Sequence, residues 1–456
     1  MNRRSFLKGA GSVGLAATLG QFSLMRALAA GGSDYKAIVC VFLFGGNDGN
    51  NMIVPYDTTA YTNYAAIRGP LALAQNTLVP LTNPATVSAA QMGGVQQFAL
   101  HPSLAPLQSI WNAGQLAVQF NVGTLVQPTT KAQLKTAGWP VPQNMYSHID
   151  QQQQWQTATT LAAGVAGAGW GGLIADQVAA GTGTVPPLIT LGGNNTFTLG
   201  KSTRPLAVPN SGSTFGLNYG NANLQTAMAA LASQTDGSQL LAGEAQIANS
   251  ALANSALINP IINNASSTVK SLFTGITGNI ATQLQTVAML IEARAQLGLS
   301  RQIYFVTQGG YDTHSAQLTT QGTLLAQLGQ SLAAFNSAMN QLGVGSSVTT
   351  VTMSDFARTL KPNSTAGSDH AWGGHHLMMG GAVKGGQFYG TMPQLALAGA
   401  DDATSEGRWI PTTAVDQYVA TLANWFGVPP AALPAVVPNL ANFTGAGWPA
   451  NLGFLG

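Results

Sequence analysis

Short, wholly apolar blocks alternate with longer stretches of helical spacing along this chain. Residues 37–44 (AIVCVFLF) run unbroken into Gly45-Gly46-Asn47-Asp48-Gly49. That pattern suits a strand buried on both faces that closes on a glycine turn. By the same reading, strands are predicted over 115–122, 186–191, 302–307, 347–353 and 377–383. Helices are predicted over 104–111, from Ser147 through Trp155 toward Leu161, over 283–297, over 317–342 and over 413–426. Strands alternating with long helices predict an α/β fold with a mostly parallel sheet covered on both faces. In such sheets the functional residues gather beyond the carboxyl ends of the strands. Asp48, Asp312, His314 and Asp355 fall there. No internal repeat or charge-run linker divides residues 30–456, which read as one domain with an Ala-, Asn-, Ser- and Leu-rich helical insertion around 220–297.

The first thirty residues stand apart. Asn2-Arg3-Arg4-Ser5-Phe6-Leu7-Lys8 is a paired arginine with a Phe-Leu-Lys block, followed by a moderately apolar run and the small-x-small site Ala27-Leu28-Ala29. These are the three regions of a secretory signal, and the arginine pair marks the twin-arginine variety. Cleavage is expected after Ala29, so residues 1–29 are set aside from the fold. The run is shorter than the roughly 20 apolar residues of a bilayer span, and no later stretch is long and apolar enough for one. The mature chain is therefore expected to be soluble and periplasmic or extracellular, with the twin-arginine machinery as its export partner. Proteins on this route fold before crossing, often around an inserted metal or cofactor.

Composition narrows the partners. Charged residues make up 7% of the 456 residues and the net charge is +2. There is no basic stripe, which argues against nucleic acid. Apolar residues at 45% argue against disorder. The single cysteine, Cys40, excludes an internal disulfide and reads as a small buried core residue.

In a chain with fifteen acidic residues and six histidines, clustering carries weight. Asp48, Asp312, His314, Asp355, Asp369, His370, His375 and His376 are the candidate metal ligands, each after a predicted strand or in a glycine-rich loop. Mixed carboxylate and imidazole donors suit zinc or manganese rather than calcium. Taken singly, each has a structural alternative: Asp after glycine is a turn residue, and Asp355 would cap a following helix. His101, in Leu100-His101-Pro102-Ser103, reads as the opening of a helix.

Five segments then converge on one resemblance. Gly45-Gly46-Asn47-Asp48-Gly49, Ser147-His148-x-Asp150, the run from Thr307 to His314, Ser354-Asp355-Phe-Ala-Arg358 with Asp369-His370, and Gly407-Arg408-Trp409-Ile410-Pro411-Thr412 resemble the twin-arginine-exported family called domain of unknown function 1501. That family is grouped with the alkaline phosphatase and sulfatase clan. The grouping implies a three-layer α/β sandwich, alkaline-phosphatase-like, with a metal centre at the strand ends. Asp48 then resembles the first-strand ligand. Asp312 and His314 resemble the Asp-and-His pair after a middle strand, at closer spacing, and Asp355 resembles the aspartate ending the next strand. Where the clan has a histidine directly after that aspartate, this chain has Phe356, leaving His370, His375 or His376 to substitute. Ser147, at a predicted helix N-terminus, is the candidate nucleophile, or else the cap of a capping-box-like Ser147-x-x-Asp150. His148 is the candidate proton carrier. Arg358 either clamps an anionic ester or pairs with Asp355. The expected function is a metal-dependent hydrolase of a small anionic phosphate or sulfate ester; the alternative is a non-catalytic exported scaffold with a structural metal.

Overall fold

The computed structural model describes residues 35–82, 91–160, 167–178, 181, 183–213, 216, 222–232 and 239–456. The expected signal segment and its cleavage site lie outside the described residues, as do Leu161 and part of the 220–297 stretch.

The apolar run at 37–44 becomes β1 (Lys36–Leu43), the centre of the molecule. A small antiparallel sheet follows from β2 (Ile53–Pro55), β3 (Val79–Pro80) and β4 (Phe98–Leu100). The main sheet adds β5 (Leu116–Gly123), β6 (Leu188–Thr190), β7 (Leu206–Ala207), β8 (Arg301–Gln308), β9 (Val348–Ser354), β10 (Gly374–Met379) and β11 (Gln387–Tyr389). Its order among the described residues is β11-β5-β10-β9-β1-β8-β6-β7, with β12 (Thr413–Ala414) also on β5. β1 pairs in parallel with β8 and β9, whereas β10 runs antiparallel to both of its neighbours. The sheet is thus mostly parallel, as its apolar strands predict. The strand expected over 377–383 instead starts at Gly374 and stops at Met379, where Gly380 takes φ +140°.

Alternation along β1 builds the layers. Ala37, Val39, Val41 and Leu43 enter a core shared with the helices Asn279–Glu292 and Gln317–Gln341. Ile38, Cys40 and Phe42 face the opposite core, with the helices His148–Thr157, Trp170–Gln177 and Val415–Phe426. Period-2 side chains on a sheet covered on both sides give a three-layer α/β sandwich, and Cys40 is a buried free thiol within it. The helix expected over 104–111 splits into a 3-10 turn, Pro102–Leu107, and a short helix, Gln108–Asn112, because Pro106 cannot donate to the helical ladder. His101 opens that turn, its ring accepting from the Ser103 amide. The helices Ala222–Ala232 and Gln239–Ile262 lie between β7 and β8 in the chain.

Register places the site. Leu43 stands opposite both Gln308 and Ser354, so β1, β8 and β9 end level with one another. Their exits must then pass side by side. Gly45 allows this: it takes φ +110°, and a Cβ there would lie 2.4 Å from the Asp312 amide nitrogen.

Candidate metal centre

Three segments meet beyond these strand ends. Asp312 and His314 follow β8, and His370 lies on the loop after β9, joined to Arg358 by an isolated bridge. His148 is the first residue of the helix His148–Thr157, placed above the sheet by Trp155 in the core. The ligand atoms of His148, Asp312 and His370 all lie within 4.8 Å of one another. His314 joins from the solvent side, its Nε2 3.1 Å from Asp312 Oδ1 and 2.9 Å from His370 Nε2. Asp312 Oδ1 is 3.4 Å from the Nε2 atoms of both His148 and His370.

The far nitrogens of the rings are each held by an acceptor. His148 Nδ1 meets Asp355 Oδ2 at 2.7 Å, His314 Nδ1 meets Asp369 Oδ1 at 3.0 Å, and His370 Nδ1 meets the Tyr146 carbonyl at 2.7 Å. Hydrogen-bonding logic therefore puts the proton on Nδ1 in all three rings and leaves Nε2 bare. Three bare nitrogens and a carboxylate oxygen then converge with no donor hydrogen among them, and His148 Nε2 is a buried atom without a hydrogen-bond partner. Lone pairs aimed at one another repel unless a cation lies between them. Tetrahedral zinc with bonds of about 2.0–2.1 Å sets its ligand atoms roughly 3.3 Å apart. The separations of 3.1 to 3.4 Å between Asp312 Oδ1 and the three Nε2 atoms match that spacing; His148, Asp312 and His370 form the compact set, and His314 stands outside it, against Asp312 and His370. Anchoring of Nδ1 by carboxylate or carbonyl is also the usual second layer of such a site.

Electrostatics favour the same states at Asp312 and His370, and the opposite one at His148. Burial opposes ionisation of Asp312, but the hydrogen bond and charge of Arg358 override it and draw the pKa down to about 2. Burial, helped by the nearby Arg358, lowers His370 below the ordinary imidazole value and keeps it neutral. The hydrogen bond to Asp355 raises His148, so a cation at its Nε2 has to displace a proton that this contact favours.

The other expected ligands are placed differently. Asp48 is 1% exposed, and its carboxylate is taken by Arg68, Gln317 and the Asn50 amide. Asp355 is fully buried, accepting from His148, Gln152 and the Gly45 amide; no helix follows for it to cap, because β9 runs on into a loop. Asp369 anchors His314 rather than facing the centre. His375 and His376 alternate along β10 and so face opposite cores, against Phe120 and Trp155 respectively. Burial keeps them neutral, with pKa values down to about 4 and about 3.

Arg358 is fully buried and pairs with Asp312, not Asp355. Its remaining bonds go to the carbonyls of Gly45, Gly46 and Ser368, so it orients Asp312 and does not reach out to an anion. Ser147 is the residue before the helix, but its hydroxyl donates to Asp150 Oδ2 at 2.6 Å instead of capping the first turn. Four residues of the site carried no sequence signal of their role: Arg68, Tyr146, Gln152 and Gln317. A lone arginine in a charge-poor helix, and a glutamine four residues after a histidine, were the available hints.

A mostly parallel α/β sandwich with an imidazole and carboxylate cluster beyond the strand ends defines the class of the molecule. Residues 35–413 match the family described as "Protein of unknown function (DUF1501)", and the chain belongs to that family. Residues 1–20 match the twin-arginine translocation pathway signal sequence. The protein is accordingly exported by that route to the periplasm or beyond. Among the described residues, no helix is long and apolar enough to cross a membrane. No curated protein matches the chain. Among solved structures it is similar to Ps i-CgsB in complex with k-i-k-neocarrahexaose, at 8% identity over 89% of this chain and 77% of that one, TM-score 0.35. It is similar to the PsFucS1 sulfatase from Pseudoalteromonas sp. at 9% identity over 91% and 72%, TM-score 0.33. It is also similar to the lipoteichoic acid synthase LtaP from Listeria monocytogenes at 8% identity over 84% and 76%, TM-score 0.30.

Proposed function

We propose that this protein is an exported metal-dependent hydrolase of phosphate or sulfate esters. It would use one divalent ion, zinc before manganese, held by His148, Asp312, His314 and His370. The observation that carries the reading is the approach of three Nε2 atoms to Asp312 Oδ1, an oxygen that also accepts from Arg358, while the Nδ1 atom of each ring is held by an acceptor. Three nitrogens and one oxygen favour zinc over the oxygen-loving ions. When bound, the ion supplies Lewis-acid polarisation of the ester. A single ion is favoured because Asp48 and Asp355, which would serve a second one, are already saturated with N–H donors.

Ser147 is the proposed nucleophile. It lies between Tyr146 and His148, which both touch the centre, and its proton is already directed at Asp150 Oδ2. Attack by Oγ on phosphorus or sulfur would pass that proton to Asp150 and break the ester bond, the departing oxygen taking the proton back from Asp150 as the alcohol leaves. Water would then cleave the phosphoserine or sulfoserine, restoring the Ser147 hydroxyl and releasing phosphate or sulfate. The helix His148–Thr157 has no side-chain cap, leaving its first amides to receive the anionic oxygens. In this reading His148 is a ligand, and Arg358 positions Asp312. Side-chain exposures of 45% at His314 and 49% at Asp312 favour an open, substrate-accepting site over a closed structural one.

The test is hydrolysis of 4-nitrophenyl phosphate and 4-nitrophenyl sulfate by the zinc-loaded mature chain. Ser147→Ala should lower kcat by ~100-fold or more, and the double variant Asp312→Ala, His314→Ala should lose both metal and turnover. Full activity in either variant would sink the assignment. A zinc-bound chain that turns over no ester would point to an exported scaffold.

A further inference from the structure

We infer that Gln152 and Asp355 act together as positioning residues that fix the tautomer of His148, an inference that rests on the metal-centre reading above. The resemblance places Asp355 among the metal ligands; the hydrogen bonds give it another task. Its Oδ2 receives His148 Nδ1 at 2.7 Å and Gln152 Nε2 at 2.8 Å, while Oδ1 receives the Gly45 amide at 3.1 Å. In this reading all three contacts come from N–H groups.

Gln152 stands one turn after His148 on the same helix, so the two side chains share a face and grip one carboxylate oxygen together. Gln151, Gln152 and Gln154 in this helix are anchors rather than parts of a solvated face. Gln151 accepts from Thr124 Oγ1 at the end of β5, and Gln154 donates to the Gln143 carbonyl. Gln156, further along, accepts from the Phe197 amide. The helix is therefore held in position by amides, and Gln152 is the one that meets the centre.

The consequence is chemical. An imidazole binds a metal only through a nitrogen without a proton, and Asp355 holds the His148 proton on the side away from Asp312. Gln152 keeps the Asp355 carboxylate oriented for that task. Its loss would free the carboxylate to rotate and the imidazole to exchange tautomers. Outer-layer partners of this kind commonly carry about 10–100-fold in metal affinity.

The experiment uses the full mature chain, stripped of metal and labelled with 15N. Long-range proton–nitrogen spectra read the tautomer of each histidine, with His148→Gln assigning the His148 signals; zinc affinity is then measured by chelator competition. Wild type should show His148 protonated at Nδ1. Gln152→Leu, a half-buried position where folding is retained, should mix the tautomers and weaken zinc by about 10–100-fold. Asp355→Asn should turn His148 to the Nε2-protonated form and weaken zinc further. A folded Gln152→Leu variant with wild-type tautomer and affinity would overturn the inference. So would an Asp355→Asn variant that loses zinc with the tautomer unchanged, since Asp355 would then be a ligand. Wild-type protein with the Nδ1 tautomer but no zinc binding would support the positioning and reject the metal reading, so the two failures are distinguishable.

Discussion

Asp48 and Asp312 leave the ends of neighbouring parallel strands and meet opposite surroundings. Asp48 is buried and ringed by hydrogens, from the Arg68 guanidinium, the Gln317 amide and a backbone N–H. Asp312 has one permanent cation behind it, Arg358, and three imidazole nitrogens with bare lone pairs in front. A carboxylate saturated by donors is a finished structural element, because its charge is neutralised inside the protein. A carboxylate facing other acceptors is electrostatically incomplete. The difference lies in which atoms carry hydrogen and cannot be read from the identity of the residue.

Breaking the finished side should have the largest effect. Arg68 also bonds Asn51 and the carbonyls of Thr359 and Leu360. Arg68→Met leaves a buried carboxylate unpaired and is expected to cost about 3–5 kcal/mol in urea denaturation. A cost below about 1 kcal/mol would mean that Asp48 finds other partners. Completing the open side comes next. Zinc at a hundred times its Kd should add about 2.7 kcal/mol of stability, seen as a rise in Tm. His370→Ala should abolish that rise while leaving the metal-free Tm close to wild type.

Asp416 sharpens the contrast as a carboxyl with no cation and no donor beyond its own backbone amide. Both its oxygens are buried without other partners, and burial pushes its pKa up to about 8. Between its unfolded value near 4 and 8, the folded chain holds a proton that the unfolded chain releases. Stability from this group is therefore full below pH 4 and falls as pH rises, by up to about 1.4 kcal/mol per pH unit, levelling off above 8. Asp416→Asn should flatten that slope when denaturation is followed from pH 5 to 8; an unchanged slope would show the carboxyl to be paired. The smallest effect is expected at Ser354, whose hydroxyl joins the Leu43 carbonyl to the Asn47 amide beneath both aspartates. Ser354→Ala should cost about 1 kcal/mol by the same denaturation assay.

The layers were legible in the sequence because burial on both faces leaves an apolar signature, and β1 has almost no polar position to obscure it. Strand direction was not legible: nothing in the residues of β10 marks it as running antiparallel to its neighbours β5 and β9. Asp312, His314 and His370 stood out because acidic groups and histidines are scarce in this chain. His148 also stood out, but as a proton carrier, since only the acceptor on Nδ1 reveals which nitrogen is free. His375 and His376 looked like a ligand pair, yet adjacent residues in a strand point to opposite faces. Arg358 looked like an anion clamp, and its burial under three carbonyls has no sequence marker.

The hydrogen bond between His370 and the Tyr146 carbonyl joins positions 224 residues apart. During synthesis the first half of the centre must therefore wait for most of the chain before it can close. On the proposed metal reading, no fragment ending ahead of His370 contains the whole ligand set, so ion capture would require the chain through His370. For a chain that crosses its membrane already folded, capture and release for transport would then be successive checks on the same folded molecule.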